Sequence, residues 1–127
     1  MPRLLIGLVT AWNLQAALVF MLWPQNYAPG FMLSGIPGAA AVRGVGLLFL
    51  MWNLPYLAAV WDPRRNRLAL YLALAMQAVG LAGESWIFFT LTAGYATLAA
   101  SIGRFILFDG VGLILLLAAA FLSKEEK

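Results

Sequence analysis

The sequence predicts an all-α integral membrane protein, a bundle of four transmembrane helices, and three observations carry that expectation. Of 127 residues, 64% are hydrophobic and 10% are charged, with a mean hydropathy of +0.90, whereas soluble domains carry about a quarter charged residues. The apolar residues fall into four runs, each close to the roughly 20 residues needed to cross about 30 Å of hydrocarbon. No run alternates as a membrane barrel strand does, and backbone facing lipid must satisfy its own polar groups, so the runs are read as helices. The expected helices cover about 4–23, 43–61, 68–90 and 102–122, in one domain spanning 1–127.

Each element has its own signal. The first run follows Met1-Pro2-Arg3 and extends to Trp23, ending in Pro24-Gln25-Asn26-Tyr27 without a small-x-small cleavage site, so a retained anchor is expected and not a cleaved signal peptide. Residues 25–42 mix Pro29, Gly30, Gly35, Pro37 and Gly38 with Phe31, Met32, Leu33 and Ile36, which suits a segment lying on the interface or capping the bundle. The second helix contains Trp52-Asn53-Leu54-Pro55-Tyr56, and its proline predicts a kink. The third carries Gln77, Gly80 and Glu84 at i, i+3 and i+7, a polar stripe on one face. The fourth follows a milder connection over 92–101. Trp23, Tyr27, Trp86 and Tyr95 fall where an interfacial aromatic belt belongs.

Basic residues orient the chain. Arg3, then Arg64, Arg65 and Arg67 in the turn after Asp62-Pro63, then Lys124 and Lys127 all fall on one side of the expected bundle, and the other two connections carry no charge. By the positive-inside rule both termini and the 62–67 turn are cytoplasmic, in a multi-pass protein of a cell membrane, of bacterial inner-membrane type. This bias accounts for the net charge of +3. It argues against a chain that inserts both ways, and against nucleic acid as a partner.

Absences narrow the chemistry. With no cysteine and no histidine, the chain lacks thiolate nucleophiles, imidazole acid–base groups and the usual zinc and haem ligands, so no cofactor is expected. Ser85 has no base of the histidine type beside it, and Met21, Met32, Met51 and Met76 form no tight Met-x-x-Met cluster.

Four charges lie within or at the edge of the spans: Arg43, Glu84, Arg104 and Asp109. At the bilayer centre each costs about 2.5 to 3.5 kcal/mol on the insertion scale, so they must pair, face water or sit inside protein. Counting residues places Arg43, Arg104 and Glu84 in one outer layer, with Asp109 one to two turns deeper. Arg104 and Asp109 are about 140° apart around their helix, so cross-helix pairs are expected, Glu84 with one arginine and Arg43 with Asp109. Below them come the amides Asn13, Gln15, Asn53 and Gln77, with Tyr56 beside Asn53 as a pocket wall. The bland account is adhesion between helices through polar contacts and the small residues Gly44, Gly46, Gly80, Gly83, Gly110 and Gly112. The functional account is a site for a solute, an ion or a lipid headgroup. The echo of Arg43-Gly44-Val45-Gly46-Leu47-Leu48 in Asp109-Gly110-Val111-Gly112-Leu113-Ile114 suggests two related helical hairpins, as in some transporters.

Three functional classes follow. The first is a channel, transporter or lipid-binding bundle that handles a polar solute, ion or headgroup at the charged cluster, with translocation requiring a homo-oligomer. The second is a non-catalytic structural or assembly subunit of a larger membrane complex. An enzyme acting on lipid through Glu84 or Asp109 ranks last, for want of His, Cys and a catalytic loop. Membrane lipids are partners in every case.

The start Arg43-Gly44-Val45-Gly46 together with Glu84 is similar to the DoxX-like group of small four-helix bacterial membrane proteins. That resemblance is confined to Arg43, Gly44, Gly46 and Glu84 and carries no function with it. The small multidrug resistance transporters and the fluoride channels have similar length. The first of these places a carboxylate in its first helix, whereas residues 4–23 here contain neither Asp nor Glu.

Overall fold

A computed structural model describes residues 1–125. The chain forms α1 (Pro2–Leu22), α2 (Pro24–Tyr27), a 3-10 turn (Ala28–Phe31), α3 (Gly35–Trp52), α4 (Leu54–Trp61), α5 (Arg67–Thr90) and α6 (Ala96–Glu125). The described residues are helical or irregular, with no strand. Four helices are long and apolar enough to cross a membrane: Pro2–Leu22, Gly35–Trp61, Arg67–Thr90 and Ala96–Glu125.

Two of them start earlier than the hydrophobic runs suggest. α3 begins at Gly35, where a left-handed φ of 64° turns the chain out of the extended Ser34. Pro37 then sits in the first turn, whose N–H groups have no intrahelical acceptor in any case, so the ring breaks nothing. Ala39, Ala40 and Ala41 carry the helix onward. α6 likewise begins at Ala96, with Ala99 N–H donating to the Tyr95 carbonyl over 2.9 Å. Between α1 and α3, the short helix, the 3-10 turn and left-handed Met32 (φ 57°) fold over the end of the bundle. Ser101 Oγ holds this segment down by donating to the Gly30 carbonyl over 2.5 Å.

The kink falls at Asn53, which breaks the helix between α3 and α4. Pro55 has no N–H to offer the Met51 carbonyl, and the Asn53 side chain turns back along the helix, donating from Nδ2 to the Phe49 carbonyl over 2.7 Å.

The helices form a ring: α1 packs on α3, α4 and α6, and α5 packs on α6 and α4. Beyond the kink α3 stays with α1 and has no comparable packing on α5, so the ring is closed at one end and parted at the other. Two cores result. One joins Ile6, Val9, Tyr56, Ala59, Leu70, Ala73, Leu116 and Ala119 from all four long helices. The other is built on Phe20, Ala28 and Val42, with Phe31, Phe49 and Phe105 against it. Phe31 and Phe105 stack at 5.9 Å, and Phe20 meets Phe105 edge-on at 6.1 Å.

Gly46 permits a close crossing of α1 and α3. A methyl group at Gly46 would lie 2.9 Å from the Ala17 carbonyl oxygen, a backbone atom that cannot move aside. At the closed end, Asp62 Oδ1 accepts from the backbone N–H groups of Arg64 and Arg65, each over 3.0 Å, and Asn66 Nδ2 donates to the Ala58 carbonyl over 2.7 Å. Arg3 approaches Asp62 at 3.9 Å. The N-terminus, the basic turn and Ser123 thus meet at one end of the bundle. Lys127 lies outside the described residues.

Candidate functional site

A cavity of about 280 Å3 lies between the two cores, where α3 parts from α5. Its walls are mainly aromatic: Trp12, Phe49, Trp52, Phe105 and Phe108, with Ala16 and Gly80 leaving room between them. Its polar groups are Asn13, Gln15, Asn53, Gln77, Glu84 and Asp109. No lysine or arginine is among the lining residues.

Gln77 organises the floor. It is 2% exposed, and its Oε1 accepts a hydrogen bond from the Tyr56 hydroxyl. Its Nε2 donates across to α6, to the Asp109 backbone carbonyl at 3.2 Å and to Asp109 Oδ1 at 3.3 Å. Trp52 Nε1 in turn donates to the Tyr56 oxygen over 3.3 Å. The chain Trp52, Tyr56, Gln77, Asp109 therefore runs donor to acceptor in one direction and terminates on a carboxylate, the group with the greatest capacity to accept. Gly80 leaves space for that carboxylate, since a methyl there would sit 3.0 Å from Asp109 Oδ2.

Two further residues of the lining carry groups without partners. Glu84, half-buried two turns along α5 from Gln77, forms no hydrogen bond or ion pair among the described residues. Asn53 is 1% exposed, its nitrogen is taken by the Phe49 carbonyl, and its Oδ1 is buried with no donor. Asn13 is half-buried and Gln15 exposed.

The expected charge pairs do not form. Arg43 is exposed and its Nε donates to the Met21 carbonyl over 3.1 Å, capping the last turn of α1. Arg104 is exposed and its Nη2 donates over 3.1 Å to Ser101 Oγ, the hydroxyl that holds the Gly30 carbonyl. Helix rotation explains the correction. Phe105, Phe108, Asp109 and Gly112 form the inward face of α6 at i, i+3, i+4 and i+7, and Arg104 lies about a quarter turn off it. On α3, Val42, Gly46, Phe49 and Asn53 face inward, which leaves Arg43 on the flank. Both arginines find free backbone and hydroxyl acceptors near the ends of helices and leave the carboxylates without a counter-charge.

The structure thus brings together six of the nine residues singled out in the sequence, Asn13, Gln15, Asn53, Gln77, Glu84 and Asp109, with Tyr56 beneath them. Arg43 and Arg104 stand apart. The aromatic walls are what sequence reasoning missed, although a signal exists: Trp12-Asn13, Trp52-Asn53 and Phe108-Asp109 each set an aromatic directly before a polar residue, and the first two share the triplet Trp-Asn-Leu. Among the described residues no group of three His, Cys, Asp or Glu side chains is placed to hold a metal ion.

Compared with family models, curated proteins and solved structures, the chain matches none. The likeness to the DoxX-like group at Arg43, Gly44, Gly46 and Glu84 gains no support from these comparisons.

Proposed function

We propose that this chain is a multi-pass protein of a cell membrane, with both termini cytoplasmic, whose bundle binds a small polar or charged molecule in the cavity between α3 and α5. The observation that carries the reading is the pair of unpartnered groups in that cavity, the Glu84 carboxylate and the Asn53 Oδ1. Polar groups kept for adhesion between helices satisfy one another, as Tyr56, Gln77 and Asp109 do. A half-buried carboxylate and a buried carbonyl oxygen without donors are costly to keep, and the cost is repaid when a ligand supplies the missing bonds.

The proposed orientation draws support from the gathering of Arg3 and Arg64 with Asp62 and Ser123 at the closed end; with those basic residues cytoplasmic, the open end and the cavity mouth would face the outer leaflet. The chain has no cysteine, so single cysteines at Asn66 and Tyr95 test the topology directly. A membrane-impermeant maleimide on intact cells should label Tyr95→Cys and spare Asn66→Cys; labelling of both on the same side would refute it.

The site itself is tested by stability. Glu84→Gln should leave the thermal midpoint in detergent unchanged or raised, because no native contact of the carboxylate is lost and a charge is removed from an apolar wall. A fall of several degrees would instead show Glu84 to be a structural contact, as expected of an assembly subunit held together by its polar residues.

A further inference from the structure

We infer that the cavity selects a protonated organic amine, an ammonium group bearing N–H donors on an apolar body. This rests on the proposed reading of the cavity as a binding site and names the chemistry of its ligand.

Charge comes first. Glu84 and Asp109 face one space, no basic side chain lines it, and Arg43 and Arg104 are engaged elsewhere by Met21 and Ser101. An anion entering this space meets two carboxylates and no counter-charge, in surroundings of low dielectric where that repulsion is poorly screened. A cation meets the opposite. Wall chemistry points the same way, because Trp12 and Trp52, with Phe49, Phe105 and Phe108, line the space, and aromatic rings attract a cation through the ring quadrupole, tryptophan best.

Hydrogen bonding then narrows the class of cation. Asn53 Oδ1 is a buried acceptor without a donor, and it is independent of the two carboxylates. Its amide orientation is set by the bond from Nδ2 to the Phe49 carbonyl, so oxygen is the atom left free. An ammonium with N–H groups satisfies it. A quaternary ammonium cannot, and neither can a bare apolar body. A small inorganic cation would leave the aromatic walls unfilled, and no group of three His, Cys, Asp or Glu side chains is placed to hold one among the described residues. Size agrees, since about 280 Å3 lies near the lower end of small-molecule pockets, which run from about 300 to 1,000 Å3. The ammonium comes either from a free amine or from an aminophospholipid headgroup, which share this chemistry.

The test uses the full chain in phosphatidylcholine nanodiscs, whose headgroups carry no N–H. Saturable binding of radiolabelled phenethylamine is measured, with phenethyl alcohol and phenylacetate as competitors of similar shape and different charge. The expected result is that unlabelled phenethylamine competes at least about tenfold better than the alcohol, the difference that a charge-assisted hydrogen bond supplies, and that phenylacetate does not compete. Glu84→Gln and Asp109→Asn should each weaken phenethylamine about tenfold or more, and Arg104→Ala should leave it unchanged. Asp109→Asn retains an oxygen for Gln77, so the fold is kept. Displacement by phosphatidylethanolamine added to the disc identifies a headgroup as the source of the ammonium, and its failure to displace identifies a free amine.

The two readings fail differently. If amine and alcohol compete equally, and Ala16→Phe abolishes both by filling the cavity, the selectivity for ammonium is wrong and the cavity remains a site. If none of the three compounds binds, the proposed ligand class falls, and with an unchanged Glu84→Gln stability the cavity still awaits another chemistry. If Glu84→Gln also unfolds the protein, the binding reading falls with it.

Discussion

Gln77 on α5 holds Asp109 on α6 twice, through the backbone carbonyl at 3.2 Å and through Oδ1 at 3.3 Å. The same amide accepts from the Tyr56 hydroxyl on α4, so one buried side chain ties three helices beneath the cavity. Replacing Gln77 by leucine removes these bonds and leaves the Tyr56 hydroxyl without its acceptor. The expected cost is about 1 to 2 kcal/mol, above the average for a single interhelical hydrogen bond in a membrane because several are lost together. Unfolding in a denaturing detergent titration measures it, and a change within about 0.3 kcal/mol would show that the network contributes nothing.

Gly44 and Gly46, two residues apart on α3, separate packing from propensity. Gly46→Ala should destabilise by about 1 to 3 kcal/mol, since its methyl meets the Ala17 carbonyl oxygen at 2.9 Å and forces α1 and α3 apart. Gly44→Ala meets nothing within 4 Å and should be neutral or stabilising. Equal effects for the two variants would contradict the close crossing of α1 and α3.

Arg104 and Glu84 supply a test of the missing ion pair. A double-mutant cycle of Arg104→Ala and Glu84→Gln should give additive changes in stability, within about 0.5 kcal/mol, because the two groups share no contact. A coupling beyond about 1 kcal/mol would restore the pair that helix rotation excludes. The single variant Arg104→Ala should act on the Ser101–Gly30 anchor alone, seen as faster hydrogen exchange in residues 28–33.

Asp62 is a carboxylate outside the helices that the fold holds below its usual range, mainly by the Arg65 N–H, with the Arg64 N–H and the charges of Arg3 and Arg65 assisting. A depressed native value means that its contribution to stability is present above the unfolded carboxylate range and is lost as pH falls through the depressed value. Titration followed by the carboxyl carbon resonance should therefore show Asp62 protonating below an ordinary aspartate. Arg3→Ala should move it upward only slightly, because backbone donors dominate and the group is exposed. Protonation at or above the ordinary range would contradict the turn geometry.

The four long helices were legible because lipid-length apolar runs leave few alternatives, and the stripe of Gln77, Gly80 and Glu84 was legible because i, i+3 and i+7 define a face. The early start of α3 escaped because Gly35 and Pro37 read as breakers unless the first turn is recognised as the place where proline is harmless, and that of α6 because residues 92–101 around Gly94 read as one connection. The fate of the charges escaped for a different reason. Which way Arg43 and Arg104 point depends on the rotation of α3 and α6, set by Gly46 against α1 and Gly112 against Gln77 and Val9, contacts between segments distant in sequence. A cavity is harder still to read, since it arises where α3 and α5 fail to pack, and the sequence holds no mark of an absent contact beyond the kink at Asn53.

The central claim is an accessible acidic cavity inside the bundle, and one measurement addresses it most directly. A single cysteine in place of Ala16, in a chain with no other cysteine, can be modified by small methanethiosulfonates of matched size and opposite charge. Attraction by Glu84 and Asp109 predicts modification by the aminoethyl reagent at least about tenfold faster than by the sulfonatoethyl reagent, at low salt, where local fields act most strongly. Phenethylamine should slow the reaction by occupying the space. A thiol that neither reagent reaches, or one that the anionic reagent modifies as fast, would contradict it.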